Sequence, residues 1–268
     1  MENPSRTLSR SQGRVRSDDG TLIAYERLGD GPPVVLVGGA LSAGSAEAPL
    51  AALLAPRFTV VSYDRRGRGG SGDTAPYAVE REVADLAAVV AEAGGPVSVH
   101  GTASGGVLAL RAVAMGVPVA QLSVYEPPLG VCEEVGRAFT AHRDRLRELL
   151  ARGARGDAVE LFLGDSVAQE ALAGLRGTRA WPRLEALAHT LAYDDEVLGD
   201  GRVPLACLER VRARVMVVDG GASPAWLRDA ARAVAAALPR GRHRTLTGQT
   251  HTVAPHVLAP LLEEFFAD

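Results

Sequence analysis

The sequence contains no lysine; all 29 of its basic residues are arginine. That excludes a catalytic lysine and any Schiff base formed by the chain. Cysteine is almost absent as well. Cys132 and Cys207 permit one disulfide at most, so a disulfide framework and a cysteine zinc site are both excluded, and two buried thiols are expected. No apolar run is long enough to span a membrane. The opening segment MENPSRTLSR lacks the apolar core of a secretion signal, which points to a cytoplasmic protein. There is no basic tract, and the net charge is −3, so nucleic acid is not an expected partner. No group of His and carboxylate residues stands at metal-ligand spacing, and neither a metal nor a cofactor is expected.

What is present fits a globular domain: 268 residues, 47% hydrophobic and 23% charged. Richness in Ala, Gly and Arg, with Lys missing, matches a GC-rich coding genome. Apolar β-rich runs alternate with helical patterns, which predicts an α/β fold. TLIAYERLG, PPVVLVGG, FTVVSYD, PVSVHG, QLSVYEPP, ARVMVVDGG and HRTL (243–246) read as strands. Residues 47–56, 78–93, GGVLALRAVAMG, 225–238 and 255–266 read as helices. Residues 131–200 change texture, being charged, helical and without a good strand. The expected organisation is a loose tail at 1–13, a core at 14–130 and 205–268, and a helical cap at 131–204. Ligands of open α/β sheets bind beyond the carboxyl ends of the strands, and a cap there closes and dries the pocket.

Four strand ends carry the candidate chemistry. Gly101-Thr102-Ala103-Ser104-Gly105-Gly106 lies between a buried strand and a helix, the layout of a nucleophile elbow, G-x-S-x-G. Its central position is Ala103, whose methyl group cannot attack a carbonyl. No G-x-S-x-G occurs elsewhere. His251, in GQTHTV, stands where a general base would. Glu126, in VYEPP, ends the strand after the elbow, and Asp219, in VDGGASP, ends a later one.

These segments resemble the α/β-hydrolase superfamily from about residue 14 to the end of the chain. The resemblance is carried by VVLVGG (34–39), SYDRRGRGGSG (62–72), GTASGG (101–106) and QTH (249–251). It is nearest to a capped, actinobacterial-type branch with the elbow form G-x-S-S-G, in which Ala103 occupies the nucleophile position. The resemblance implies a mostly parallel sheet flanked by helices, with a helical cap insertion. It also implies an oxyanion hole built from the backbone N–H groups of Ala40 and Ser104. The family's usual His-Gly is here Gly38-Gly39. The family's acid often follows the next-to-last strand, where this chain has Ser223. Some capped members place it one strand after the elbow, which selects Glu126 as partner of His251 over Asp219, the alternative acid. Asp64 in YDRRGRG is expected to stabilise a turn and His100 to pack in the core. Ser104 as a shifted nucleophile would put β-branched Thr102 where a small residue is wanted. Gly39, Leu41, Trp181, Tyr193 and Trp226 are candidate pocket residues. His142 and His189 lie in the cap.

Three readings of function stay open. The chain is an ester, thioester or lactone hydrolase type with its serine replaced by Ala103, a substrate-trapping or inactive form. Alternatively, a His251–Glu126 dyad performs acid/base chemistry without a nucleophile, as a cyclase, isomerase, lyase or cofactor-free oxygenase in natural-product biosynthesis. Or the chain is a non-catalytic ligand-binding paralogue. In each, the partner is a small, partly apolar molecule. A Rossmann enzyme would need G-x-G-x-x-G after its first strand, and a haloalkane or epoxide mechanism would need Asp at 103. Substrate identity and oligomeric state are open at this level.

Overall fold

The computed structural model describes residues 8–131, 133–164 and 169–267. In chain order the first half contains β1 (Arg10–Arg16), β2 (Leu22–Leu28), β3 (Pro33–Val37), α1 (Ala48–Leu54), β4 (Thr59–Tyr63), α2 (Val79–Ala93), β5 (Val97–Thr102), α3 (Ser104–Ala114) and β6 (Val119–Tyr125). A helical insertion follows: α4 (Glu133–Ala151), α5 (Arg155–Gly164), α6 (Gln169–Arg176), α7 (Trp181–Leu187), α8 (Leu191–Leu198) and the single turn α9 (Leu205–Leu208). β7 (Arg214–Gly220), α10 (Ala225–Ala237), β8 (Gly241–Leu246) and α11 (Pro255–Ala267) complete the chain.

The eight strands form one sheet in the order β1-β2-β4-β3-β5-β6-β7-β8. β1 and β2 run antiparallel to their neighbours, and all other pairs are parallel. Alternation along each strand sorts the core into two layers. Val34 and Leu36 of β3 pack with α1 and α11, whereas Val35 and Val37 pack with α2 and α3. Both faces of β3 are therefore covered, and its sequence is a continuous apolar run. α2 buries Val83, Leu86, Val89 and Val90 at helical spacing, each removal from water worth about 1.5–3 kcal/mol.

The expected N-terminal tail is corrected in part. Residues 10–13 belong to β1, paired in register from Arg10↔Leu28 to Arg16↔Leu22; residues 1–7 lie outside the described residues. β1 is an edge strand that exposes most of its length, so its sequence RSQGRVR shows no apolar run.

The insertion packs onto the carboxyl ends of the central strands. Leu41, just after β3, contacts the clusters formed by Leu146, Leu149, Ala158 and Leu191 and by Val159, Leu172, Trp181 and Ala188. Asp194 of α8 reaches residues that follow β4 and β5. Among the described residues no helix is long and apolar enough to cross a membrane.

Candidate active site

The turn between β5 and α3 is built by small residues. A Cβ on Gly101 would lie 2.6 Å from the Cα of Gly106, and one on Gly105 would lie 2.4 Å from the carbonyl oxygens of Val37 and Gly38. Only glycine lets helix, strand and the β3 end approach this closely. Ala103 sits at the apex with φ 50° and ψ −122°. Its N–H donates to the Tyr125 carbonyl at 2.9 Å, and its carbonyl accepts from Gly106 at 3.0 Å. The elbow is thus formed, with a methyl group at its tip. The neighbouring Ser104 hydroxyl is already engaged: it is buried and donates its proton to Asp194 Oδ1 at 2.7 Å.

The segments after β6 and β8 bring together Glu126 and His251. Glu126 follows β6 with φ 43° and is fully buried. Its Oε1 accepts the Gly220 N–H at 2.7 Å, and its Oε2 lies 2.7 Å from His251 Nδ1. Burial pushes the Glu126 carboxyl up, but the hydrogen bonds, that from His251 foremost, more than offset it and hold the group below the usual carboxylate range. The imidazole is held at Nδ1 by this contact and is 39% exposed. Its loop is tied down by Tyr125 Oη donating to the Thr250 carbonyl at 2.5 Å and by the Ala254 N–H donating to Gln249 Oε1 at 2.9 Å. Asp219, the alternative acid, is not at His251. It is buried near the end of β7 and pairs with His243 Nε2 at 2.7 Å, because it shares a sheet face with residue 243 of the neighbouring strand.

The loop after β3 supplies the remaining polar surface. A Cβ on Gly39 would stand 3.4 Å from the Ala103 Cβ, which places this backbone beside the elbow. Arg68 Nη1 donates to the Gly39 carbonyl at 2.8 Å. In a planar trans peptide the N–H lies opposite the carbonyl, so the Ala40 N–H is directed away from Arg68. Ser104 opens α3, and its N–H has no acceptor in a preceding turn. Among the described residues, non-glycine residues with positive φ are Leu41, Ala103 and Glu126. They follow β3, β5 and β6, so the uncommon backbone of the molecule is gathered at this site, at a cost of order 1–3 kcal/mol each.

A model of the alpha/beta hydrolase family matches residues 34–263. The chain belongs to this family. It is 50% identical to an alpha/beta hydrolase from Sphaerobacter thermophilus DSM 20745, with a TM-score of 0.87 over 95% of this chain and 100% of that one. A hydrolase from Pseudomonas aeruginosa PA01 shares the fold at 19% identity and TM-score 0.74, covering 99% and 100% of the two chains. A thermophilic esterase from Thermogutta terrifontis does so at 18% identity and TM-score 0.74, covering 96% and 98%.

Beneath the site of this alpha/beta hydrolase lies a charged network that sequence reasoning missed. Arg65, Arg66 and Arg68 are all at most 1% exposed. Arg65 Nε pairs with Glu82 at 2.6 Å, and Arg66 Nε with Asp85 at 2.7 Å. Arg65 Nη1 and Arg68 Nη2 both reach Asp194, each at 2.7 Å. Burial would raise the Asp194 carboxyl, but Arg68 and Arg65 beside it, with the Ser104 hydroxyl, hold it below its ordinary range. Two of the partners left a sequence signal. Glu82 and Asp85 fall on the same face of α2 as Leu86 and Val89, and carboxylates on a core face demand buried cations. Asp64 has the turn role expected of it, accepting the N–H groups of Gly44 and Gly70 at 2.7 Å each.

The other candidate residues are dispersed. Trp181 is buried in the insertion and donates to Glu185 at 2.9 Å. Tyr193 stacks on Tyr77 with ring centroids 4.1 Å apart and donates to Asp73. Trp226 is exposed and meets Phe139 edge-on at 6.0 Å. His189 lies 3.4 Å from Asp73, and His142 is half-buried on α4. None of these contacts touches Ala103 or His251, whereas Gly39 stands beside the elbow and Leu41 packs against the insertion helices. His100 is buried beside Ser123 at 3.2 Å, and burial pushes its imidazole down to about 4, which keeps it neutral in the core. Cys207 is a free, half-buried thiol, and Cys132 lies outside the described residues.

Proposed function

We propose that this family member carries an acyl-transfer site of the ester, thioester or lactone hydrolase type, with Ala103 at the nucleophile position. As it stands the site binds a carbonyl substrate without forming an acyl-enzyme. The observation that carries this reading is the 2.7 Å His251–Glu126 pair set beside a formed elbow that lacks only an oxygen. His251 is the general base, Glu126 holds its tautomer, and the Ala40 and Ser104 N–H groups receive the developing oxyanion. The helices of the insertion act as a cap over a small, partly apolar substrate. Relatives described as hydrolase or esterase support the assignment of class.

A second reading is favoured by the same dyad persisting where no hydroxyl can attack. His251 Nε2 then takes a proton directly from the substrate, and the electron pair moves onto a carbonyl oxygen held by the same two N–H groups. One experiment separates the readings. Ala103→Ser and the chain as written are compared for hydrolysis of p-nitrophenyl acetate and butyrate, and for fluorophosphonate labelling read by intact mass. Turnover and an adduct at position 103 in the variant alone support the acyl-transfer site. A folded variant that neither hydrolyses nor labels refutes it and leaves the dyad reading. Labelling of the parent at Ser104 refutes both.

A further inference from the structure

We infer that Asp194, on helix α8 of the insertion, is the positioning residue that assembles the oxyanion cradle of this site. The inference rests on the proposal that the Ala40 and Ser104 N–H groups form that cradle. Asp194 is 3% exposed and makes three short contacts. Oδ1 accepts the Ser104 hydroxyl at 2.7 Å and Arg65 Nη1 at 2.7 Å, and Oδ2 accepts Arg68 Nη2 at 2.7 Å. The first contact holds the residue that opens α3 and carries one donor. The third orients the guanidinium whose other nitrogen, Nη1, holds the Gly39 carbonyl at 2.8 Å. Arg65 adds a longer bond to the Gly38 carbonyl at 3.3 Å. One carboxylate therefore ties both halves of the cradle, which come from β3 and β5, to a helix contributed by the insertion.

The geometry needs a planar fork. Arg68 bridges Asp194 and Gly39 through two different nitrogens, which a lysine ammonium cannot reproduce at the same two directions. The arrangement also couples the insertion to the chemistry: displacing α8 removes the acceptor on Ser104 and the counter-charge of Arg68 together. The buried groups facing Asp194 are Arg65, Arg68 and Ser104, with Glu82 across Arg65.

The test uses Asp194→Asn, with Arg68→Lys as the second variant should the first fail to fold. Crystal structures of the variants in the chain as written read the direction of the Gly39–Ala40 peptide, independently of any activity. In the Ala103→Ser background, kcat and KM for p-nitrophenyl butyrate are measured beside the thermal midpoint. The expected results are a turned or disordered Gly39–Ala40 peptide and a fall in kcat of about 10²–10³, the effect of losing one oxyanion donor, with KM changed less than about threefold. A folded variant with the peptide unmoved, or with kcat unmoved while the Ala103→Ser parent is active, overturns the inference. An inactive Ala103→Ser parent counts against the acyl-transfer reading alone, because the peptide direction still decides the role of Asp194.

Discussion

Replacing Glu126 with Gln tests the dyad without emptying its site. Oε1 of Glu126 accepts the Gly220 N–H, and Oε2 faces His251 Nδ1, each at 2.7 Å. A glutamine must keep its carbonyl oxygen on the Gly220 donor, since the reverse orientation would set two donors against each other. Its NH₂ then points at Nδ1 and makes that nitrogen an acceptor. The ring proton moves to Nε2, and the face presented to substrate changes from base to donor. In hydroxyl–imidazole–carboxylate sites this tautomer reversal costs about 10⁴ in kcat, or about 5 kcal/mol of barrier. The stability cost is smaller, about 1–3 kcal/mol for one charge-assisted hydrogen bond, because the Gly220 bond survives. The assay is kcat on p-nitrophenyl butyrate for Glu126→Gln in the Ala103→Ser background. Nitrogen NMR of the His251 ring in the chain as written reports the tautomer separately. Turnover within about threefold of the parent, or an unchanged Nδ1–H tautomer in the Gln variant, would refute the argument.

Asp219→Asn, which loosens the pair with His243, is expected to leave kcat in the Ala103→Ser background within about threefold while lowering the thermal midpoint; a collapse of kcat would return the acid role to Asp219. Gly105→Ala would press a methyl group to 2.4 Å from two backbone carbonyl oxygens, and an unfolding loss of about 3 kcal/mol or more is expected by denaturant titration. Glu126 and Asp194 are both held below their ordinary values. The unfolded chain therefore binds more protons in the acid range, and stability present above the usual carboxylate pKa is lost as pH falls through the lower folded values, which a pH series of midpoints reads. Asp195 behaves oppositely: burial first, then the charge of Asp194, pushes it up to about 7. Its ionisation costs stability as pH rises from about 4 to 7, so Asp195→Asn is expected to gain about 2 kcal/mol at pH 8, after discounting for screening, and nothing at pH 4.

The central strands were legible because helices cover them on both faces. β3, β4, β5 and β7 therefore spell apolar runs that end at glycine or at aspartate. β1 was illegible for the converse reason: paired on one side only and largely exposed, it is RSQGRVR, indistinguishable by pattern from a tail. At the site, local motifs located the elbow and His251, and position one strand beyond the elbow located Glu126. Asp194 was beyond this kind of reading. It lies in AYDDEVL, which looks like a solvated acidic turn, and its partners stand 90 to 129 residues away. A contact closed only by the folding of the insertion onto the sheet leaves no periodic trace.

The elbow keeps its strained form although its tip carries a methyl group, and the reason lies in the surrounding contacts rather than in residue 103. Ala103 at φ 50° is held by its own N–H on the Tyr125 carbonyl and by the Gly106 N–H on its own carbonyl. Close approach of Gly101 to Gly106, and of Gly105 to the β3 carbonyls, leaves the chain no other path into α3. Any non-glycine residue at 103 pays the same backbone cost, so the geometry that presents a nucleophile is independent of having one. The same holds at Glu126, whose φ of 43° is imposed while its N–H bonds the Val218 carbonyl at 2.9 Å. On the acyl-transfer reading proposed above, the scaffold delivers an elbow tip, a base, an acid and two backbone donors to one place. On that reading, a single oxygen at position 103 decides whether that place can form a covalent acyl intermediate.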